Sequence, residues 1–159
     1  VIKTIGLFIA NFLLDKLIVA GWNRLKKGLQ ERQMDNTTDL EDFNAPWSEK
    51  VSEDFHVVVY KDKYPVTEGH LLFVPKYNTA EIIDDAFYSA YLEGVELVRS
   101  GKADGFNIGF NYGEAAGQTI MYPHIHLIPR RKGDVEDPVG GVRNVIPGKG
   151  NYRKSKETL

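Results

Sequence analysis

From Phe55 onward, apolar and polar residues alternate in short runs that stop at Pro, Gly or Asp. Phe55-His-Val-Val-Val-Tyr60 predicts a strand, and Lys61-Asp-Lys-Tyr-Pro65 a turn. Gly69-His-Leu-Leu-Phe-Val-Pro75 predicts a second strand, and so short a connection suggests an antiparallel hairpin. The period then changes from two to about 3.6. Ile82, Ile83, Ala86, Phe87, Ala90, Tyr91, Gly94, Val95 and Val98 recur at steps of three and four, which predicts a helix over residues 80–100 with that stripe toward the core. Thr79 is its expected N-cap and Gly101 its stop. Phe106-Asn-Ile-Gly-Phe-Asn111 predicts a third strand with Asn107, Gly109 and Asn111 on one face; residues 120–130 predict a fourth. The order strand, strand, helix, strand, strand implies an α+β domain with an antiparallel sheet and one main helix.

The start of the chain follows another pattern. Residues 1–33 predict an amphipathic helix. Thr4, Asn11, Asp15, Trp22, Lys26 and Gln30 form a mostly polar stripe, and Ile5, Ile9, Phe12, Leu13, Leu14, Leu17, Ile18 and Leu25 cover the rest. Arg24, Lys26, Lys27 and Arg32 make its end basic, as suits a helix C-terminus. Asn11, Asp15 and Lys16 interrupt the apolar run that a transmembrane span needs, and each central charge costs roughly 2.5–3.5 kcal/mol. A signal peptide carries its charges before the apolar run, whereas most follow it here. The expectation is a helix docked on a membrane surface, a partner protein or its own domain. The chain opens on Val1 instead of Met, as a fragment or a processed form would. Residues 34–50 are acidic and Pro-containing and read as a linker, with Trp47 anchoring its end. Residues 51–132 form the main domain, and the Gly- and Pro-rich residues 133–159 read as an extended tail.

Composition narrows the function classes. A 159-residue chain with 42% apolar and 26% charged residues suits one domain plus an appendage. The net charge of −2 argues against a nucleic-acid surface. The absence of Cys excludes disulfides and cysteine nucleophiles and allows a reducing, cytoplasmic location, membrane-associated if residues 1–33 dock there.

Two of the four histidines, His124 and His126, stand one residue apart behind the loop Gly113-Glu-Ala-Ala-Gly-Gln-Thr119. Alternation puts Tyr122, His124, His126 and Ile128 on one face. Such a pair can be a metal arm, which here requires a third ligand from His70, Asp62 or Glu114. It can also be a nucleophile with a partner: a neutral imidazole attacks phosphorus, and loop donors at Gly113, Gly117, Gln118 and Thr119 meet the growing charge on oxygen. The expectation is the second, with no metal.

Asn111-x-Gly113-x-x-Ala-Gly117-Gln118-Thr119-Ile120-x-Tyr122-x-His124-x-His126-Leu-Ile-Pro129-Arg130 resembles the signature of the histidine triad (HIT) family of nucleotide hydrolases and transferases. Asp62-x-x-Pro65-x-x-x-Gly69-His70-x-Leu72-x-x-Pro75-Lys76 resembles its upstream half. The resemblance covers residues 50–132 and follows a branch with Tyr122 in place of the first triad histidine. It implies a HIT-like fold and a homodimer with one nucleotide site per subunit. It makes His124 the nucleophile on an α-phosphate, with His126 and Gln118 completing the catalytic set. Asp62 is implied on the ribose, and Asn111, Gly117, Thr119 and Tyr122 as further substrate contacts. His70 is expected to support strand packing. No cofactor is implied beyond Mg2+ carried by a polyphosphate. Dinucleoside polyphosphates are the favoured substrates, met by Arg130, Arg131, Lys132, Arg143 and Lys149 if the tail folds over a site. Nucleotidyl transfer to another acceptor, or a non-catalytic nucleotide-binding module tethered by the N-terminal helix, are the alternatives. Tyr122 is a poor proton acceptor near neutrality, and Pro123 removes a strand N–H.

Overall fold

The computed structural model describes residues 39–153. The expected N-terminal helix and its docking lie outside the described residues. Five strands form one antiparallel sheet: β1 (Lys50–Glu53), β2 (Val57–Lys61), β3 (Leu71–Pro75), β4 (Gly105–Phe110) and β5 (Ile125–Arg130). Their spatial order is β1-β2-β3-β5-β4. The helix α1 (Ala80–Arg99) joins β3 to β4. Among the described residues no helix is long and apolar enough to cross a membrane.

Helix α1 starts where Thr79 accepts a hydrogen bond from the Ile82 N–H. It ends before Gly101, whose φ of 72° is the left-handed conformation that terminates helices. Ala86, Ala90 and Gly94 are buried along its inner face. They pack with Val57, Phe73, Ile125 and Leu127 from one sheet face, and with Phe106, Ile108 and Phe110 from β4. Burying one large aliphatic side chain there contributes roughly 1.5–3 kcal/mol. The predicted stripe is narrower than the pattern suggests: Tyr91 and Val98 are exposed.

The opposite sheet face is covered differently along its width. Leu72, Val74 and Tyr122 form a second core with Leu40, Phe43, Trp47, Tyr60 and Ile120. The expected linker therefore belongs to the domain from Leu40 onward, through three apolar side chains in an otherwise polar run. The uncovered part of this face, over β3, β5 and β4, is where the site lies.

Three of the differences from the sequence expectation have a local cause. β1 is an additional edge strand of four exposed residues, without the apolar signal that marks a half-buried strand. β2 starts at Val57 because Asp54 Oδ1 accepts from the N–H groups of both His56 and Val57, closing the β1–β2 turn. β5 starts at Ile125 instead of residue 120, since Pro123 offers no N–H for pairing.

Candidate functional site

A cavity of about 890 Å³ opens on the uncovered sheet face, within the size range of small-molecule sites. Pairing of neighbouring strands builds its floor. Leu72 of β3 and Gly109 of β4 both stand opposite His126, and Asn107 stands opposite Ile128. The alternation that buries Ile125 and Leu127 against α1 therefore turns His126 and Ile128 to the cavity. His124 lies just before the strand and reaches the same space, its ring centroid 5.1 Å from that of His126.

The two histidines are held in defined tautomers. His124 is 7% exposed, and its Nδ1 lies 2.8 Å from the carbonyl oxygen of Tyr122. A carbonyl only accepts, so Nδ1 carries the proton and Nε2 keeps its lone pair. The Val66 N–H donates to Nδ1 of His70 at 3.3 Å, which leaves the proton of neutral His70 on Nε2. That Nε2 lies 3.0 Å from Nδ1 of His126, so the His126 proton sits on Nε2. Among the described residues, His126 Nε2 is a buried side-chain donor without a protein partner. Burial, then the neighbouring His124 and His70, push the His126 pKa down to about 4, against a smaller opposing pull from Asp62. Burial also lowers the pKa of His70, again opposed by Asp62. The site thus sets the lone pair of His124 Nε2 beside a His126 imidazole that burial keeps neutral and that donates from Nε2.

Asp62 does two things. Its Oδ1 accepts from the Tyr64 N–H at 2.6 Å, capping the β2–β3 turn. Its Oδ2 lies 3.6 Å from His70 Nε2 and 3.8 Å from His126 Nδ1. Asn111 and Thr119 line the cavity. Gln118 and Gly117 are not among its lining residues. Gln118 is buried and clasps the loop: its Oε1 accepts from the Gly113 N–H at 2.7 Å, and its amide donates to the Ile120 carbonyl at 3.0 Å. Gly117 ends the short 3-10 turn Glu114–Ala116 at φ 82°.

Tyr122 lies on the same side of the sheet as His126, as the alternation predicts, but it does not line the cavity as a substrate contact would. Its ring is 1% exposed within the second core, and its hydroxyl donates toward the carbonyl oxygens of Pro75 and Lys76 at 2.9 and 3.1 Å. Burial raises the phenol pKa well above its ordinary value.

Three parts of the site were not expected. His70 joins it directly instead of only supporting packing; its place in the motif eight residues after Asp62 was the available signal. Trp47 lines the cavity with its ring centroid 5.3 Å from that of His124. The tail is not simply extended: Gly141–Val145 form a 3-10 helix, and Gly141, Val142, Asn144 and Val145 wall the cavity. Asp134 ties the start of this tail to β5 through both carboxylate oxygens on Arg130, each at 2.7 Å.

A family model described as HIT domain matches residues 46–133. This chain belongs to the HIT domain family. It is 38% identical over 102 residues to an uncharacterised HIT-like protein of Methanocaldococcus jannaschii, covering 60% of this chain and 79% of that protein. It is 37% identical over 92 residues to the adenylylsulfatase HINT3 of Arabidopsis thaliana, covering 54% of this chain and 47% of the relative. It is 34% identical over 85 residues to the adenosine 5'-monophosphoramidase HNT1 of Saccharomyces cerevisiae, covering 52% and 54%. The chain thus spans about half the length of these two named enzymes. The HIT match contains every site residue named above except the wall at residues 141–145 and its anchor Asp134, which lie beyond it.

Proposed function

We propose that this HIT protein is a nucleotide hydrolase that cleaves at an α-phosphate through a nucleotidyl-His124 intermediate. The observation that carries this reading is the bond from His124 Nδ1 to the Tyr122 carbonyl, which frees Nε2 as a nucleophile. Nε2 attacks phosphorus, the bond from phosphorus to the leaving oxygen or nitrogen breaks with its electron pair going to the leaving atom, and the leaving group takes any proton it needs from solvent. Water then attacks phosphorus, the phosphorus–nitrogen bond breaks as water gives its proton to solvent, and the nucleotide leaves with His124 restored. His126 donates from Nε2 to a phosphoryl oxygen as its charge grows. Asp62 serves the ribose and Asn111 and Thr119 the phosphate, while Gln118 and Gly117 act through the shape of their loop. The transfer itself requires no metal. The names of the two relatives support the reading, since adenylyl sulfate and adenosine phosphoramidate both present an α-phosphate with a leaving group.

Within this reading, dinucleoside polyphosphates are the favoured substrates, because the cavity continues past the histidines to the tail wall. A homodimer forms along β4, an edge strand with one side of its backbone unpaired in the sheet. The protein works in the cytoplasm, with residues 1–33 docking it on a membrane surface or partner. Co-sedimentation with liposomes, compared with a chain starting near Asp35, tests the docking; equal partition of the two removes the membrane.

The decisive experiment incubates the full chain with diadenosine polyphosphates, adenylyl sulfate and adenosine phosphoramidate, with His124→Ala as the control. Release of AMP by the wild type and a covalent nucleotidyl adduct in intact-mass spectra are expected. Equal turnover by the variant sinks the nucleophile assignment. Tyr122, at the place of the first triad histidine, favours a binding module as the second reading; nucleotide binding without turnover by either protein would establish it. Product carrying the nucleotidyl group on an added phosphate or sugar phosphate would make it a transferase.

A further inference from the structure

His70 Nε2, His126 Nδ1 and Asp62 Oδ2 form a compact triangle with edges of 3.0, 3.6 and 3.8 Å. Such a triangle has a point about 2.0 Å from all three corners, which matches zinc bonds to imidazole nitrogen and carboxylate oxygen. The three residues come from separate segments. Asp62 follows β2, His70 precedes β3, and His126 is held in β5 by pairing with both neighbours. The Tyr64 N–H fixes the second oxygen of Asp62, so the carboxylate presents Oδ2 to the two rings. Two nitrogens and one oxygen, with the His126 side chain and Asp62 facing the cavity, leave outer positions for water or a ligand.

We infer that Asp62, His70 and His126 form a site for a divalent transition metal of the zinc type, and that its occupation blocks nucleotide chemistry at His124. Binding moves one proton and changes no oxidation state. The proton on His70 Nε2 passes through solvent to Nδ1, and both facing nitrogens give their lone pairs to the metal. Nδ1 of His70 then no longer accepts from the Val66 N–H, a bond already long at 3.3 Å, and the turn at residues 62–69 shifts. The metal takes Asp62 from its sugar role and ties His126 in place. A hard ion such as Mg2+ prefers all-oxygen ligands and is excluded by the two nitrogens. The blocking half of this inference rests on the proposed reaction; the binding half does not.

The test uses the untagged full chain, stripped with a chelator and titrated with Zn2+ in a calorimeter without nucleotide. Co2+ follows as a visible-absorption probe of low coordination number. One equivalent of Zn2+ is expected, with the bands of low-coordinate Co2+ and no response to Mg2+. His70→Gln and Asp62→Asn should each weaken Zn2+ binding by at least about tenfold. His56→Gln, a surface control paired with Asp85, should leave it unchanged. Circular dichroism of each variant separates lost ligands from lost folding, and the wild-type Co2+ spectrum stands if a variant fails to fold. No one-equivalent binding by the wild type overturns the site. So does binding untouched by His70→Gln and Asp62→Asn but lost in His124→Ala, which would move the metal to the His124–His126 pair. Zn2+ binding without loss of AMP release overturns the blocking half alone.

Discussion

Tyr122 holds His124 through its backbone and not through its ring. The carbonyl oxygen accepts from His124 Nδ1 at 2.8 Å, while the phenol hydroxyl is turned to the carbonyl oxygens of Pro75 and Lys76. The Tyr122 side chain is therefore structural. Tyr122→Phe should lower stability by about 1–3 kcal/mol, because the buried Pro75 carbonyl loses a donor while that of Lys76 keeps the Leu40 N–H. The turnover number should stay within about threefold of the wild type, since the tautomer of His124 is set by the main chain. Chemical denaturation and steady-state kinetics on the folded variant check both. A hundredfold fall in turnover at unchanged stability would put the phenol back into the chemistry.

Gln118 and Thr119 separate the two ways a loop residue serves a site. Thr119 lines the cavity, whereas the buried Gln118 spans the loop from Gly113 to Ile120. Gln118→Ala leaves the Gly113 N–H and the Ile120 carbonyl without that partner and should cost about 1–3 kcal/mol. The loop then loses its fixed shape, so KM is expected to rise more than kcat falls. An equal fall in kcat and kcat/KM, with KM unchanged, would show that Gln118 touches the transition state.

These two residues also mark what a sequence reveals of such a site. The helix over residues 80–99, its Thr79 cap and its Gly101 stop follow from local chemistry and are legible. So are His124, His126 and Asp62, because motif spacing and alternation carry them. The burial of Tyr122 outside the cavity depends on a hydrophobic seat made by Phe43 and Trp47, 79 and 75 residue numbers away. β1 pairs without burying anything, so no hydrophobic period announces it. The lining residues of the wall at 141–145 are one glycine, two valines and an asparagine, a composition that also describes a solvated tail; only the β4 surface beneath it makes it a wall.

The tail is pinned at Asp134, which accepts from the Arg130 guanidinium and the Arg131 N–H. Those hydrogen bonds, the Arg130 side chain first, hold the Asp134 carboxyl far below the usual carboxylate range. The folded pKa is depressed, so the stabilisation is complete above the ordinary value and is lost as pH falls through the folded one. Asp134→Asn should therefore melt below the wild type by a constant margin from neutrality to about pH 4, and the margin should shrink below that. A margin already gone at roughly pH 6 would contradict the clamp. KM should rise in the same variant, because the wall beyond Asp134 loses its anchor.

Gly94 sets how closely α1 approaches β4. A methyl group there would lie 2.7–2.8 Å from three atoms of the Phe106 ring, closer than packed carbons tolerate. Glycine inside a helix costs about 1 kcal/mol relative to alanine, so Gly94→Ala would stabilise an isolated helix. In the folded protein, overpacking costs typically about 1–3 kcal/mol and is expected to win. The strain should also be relieved by shortening the ring. Phe106→Leu alone removes buried surface and destabilises, yet with Gly94→Ala it should show a favourable coupling of at least about 0.5 kcal/mol. Urea denaturation of the four proteins measures that coupling. Phe106 points to the helix while its neighbours Asn107 and Gly109 line the cavity, so the strain reaches the site only if β4 itself moves. Gly94→Ala with lowered stability and unchanged KM would mean that the ring yields; a raised KM would mean that the strand does.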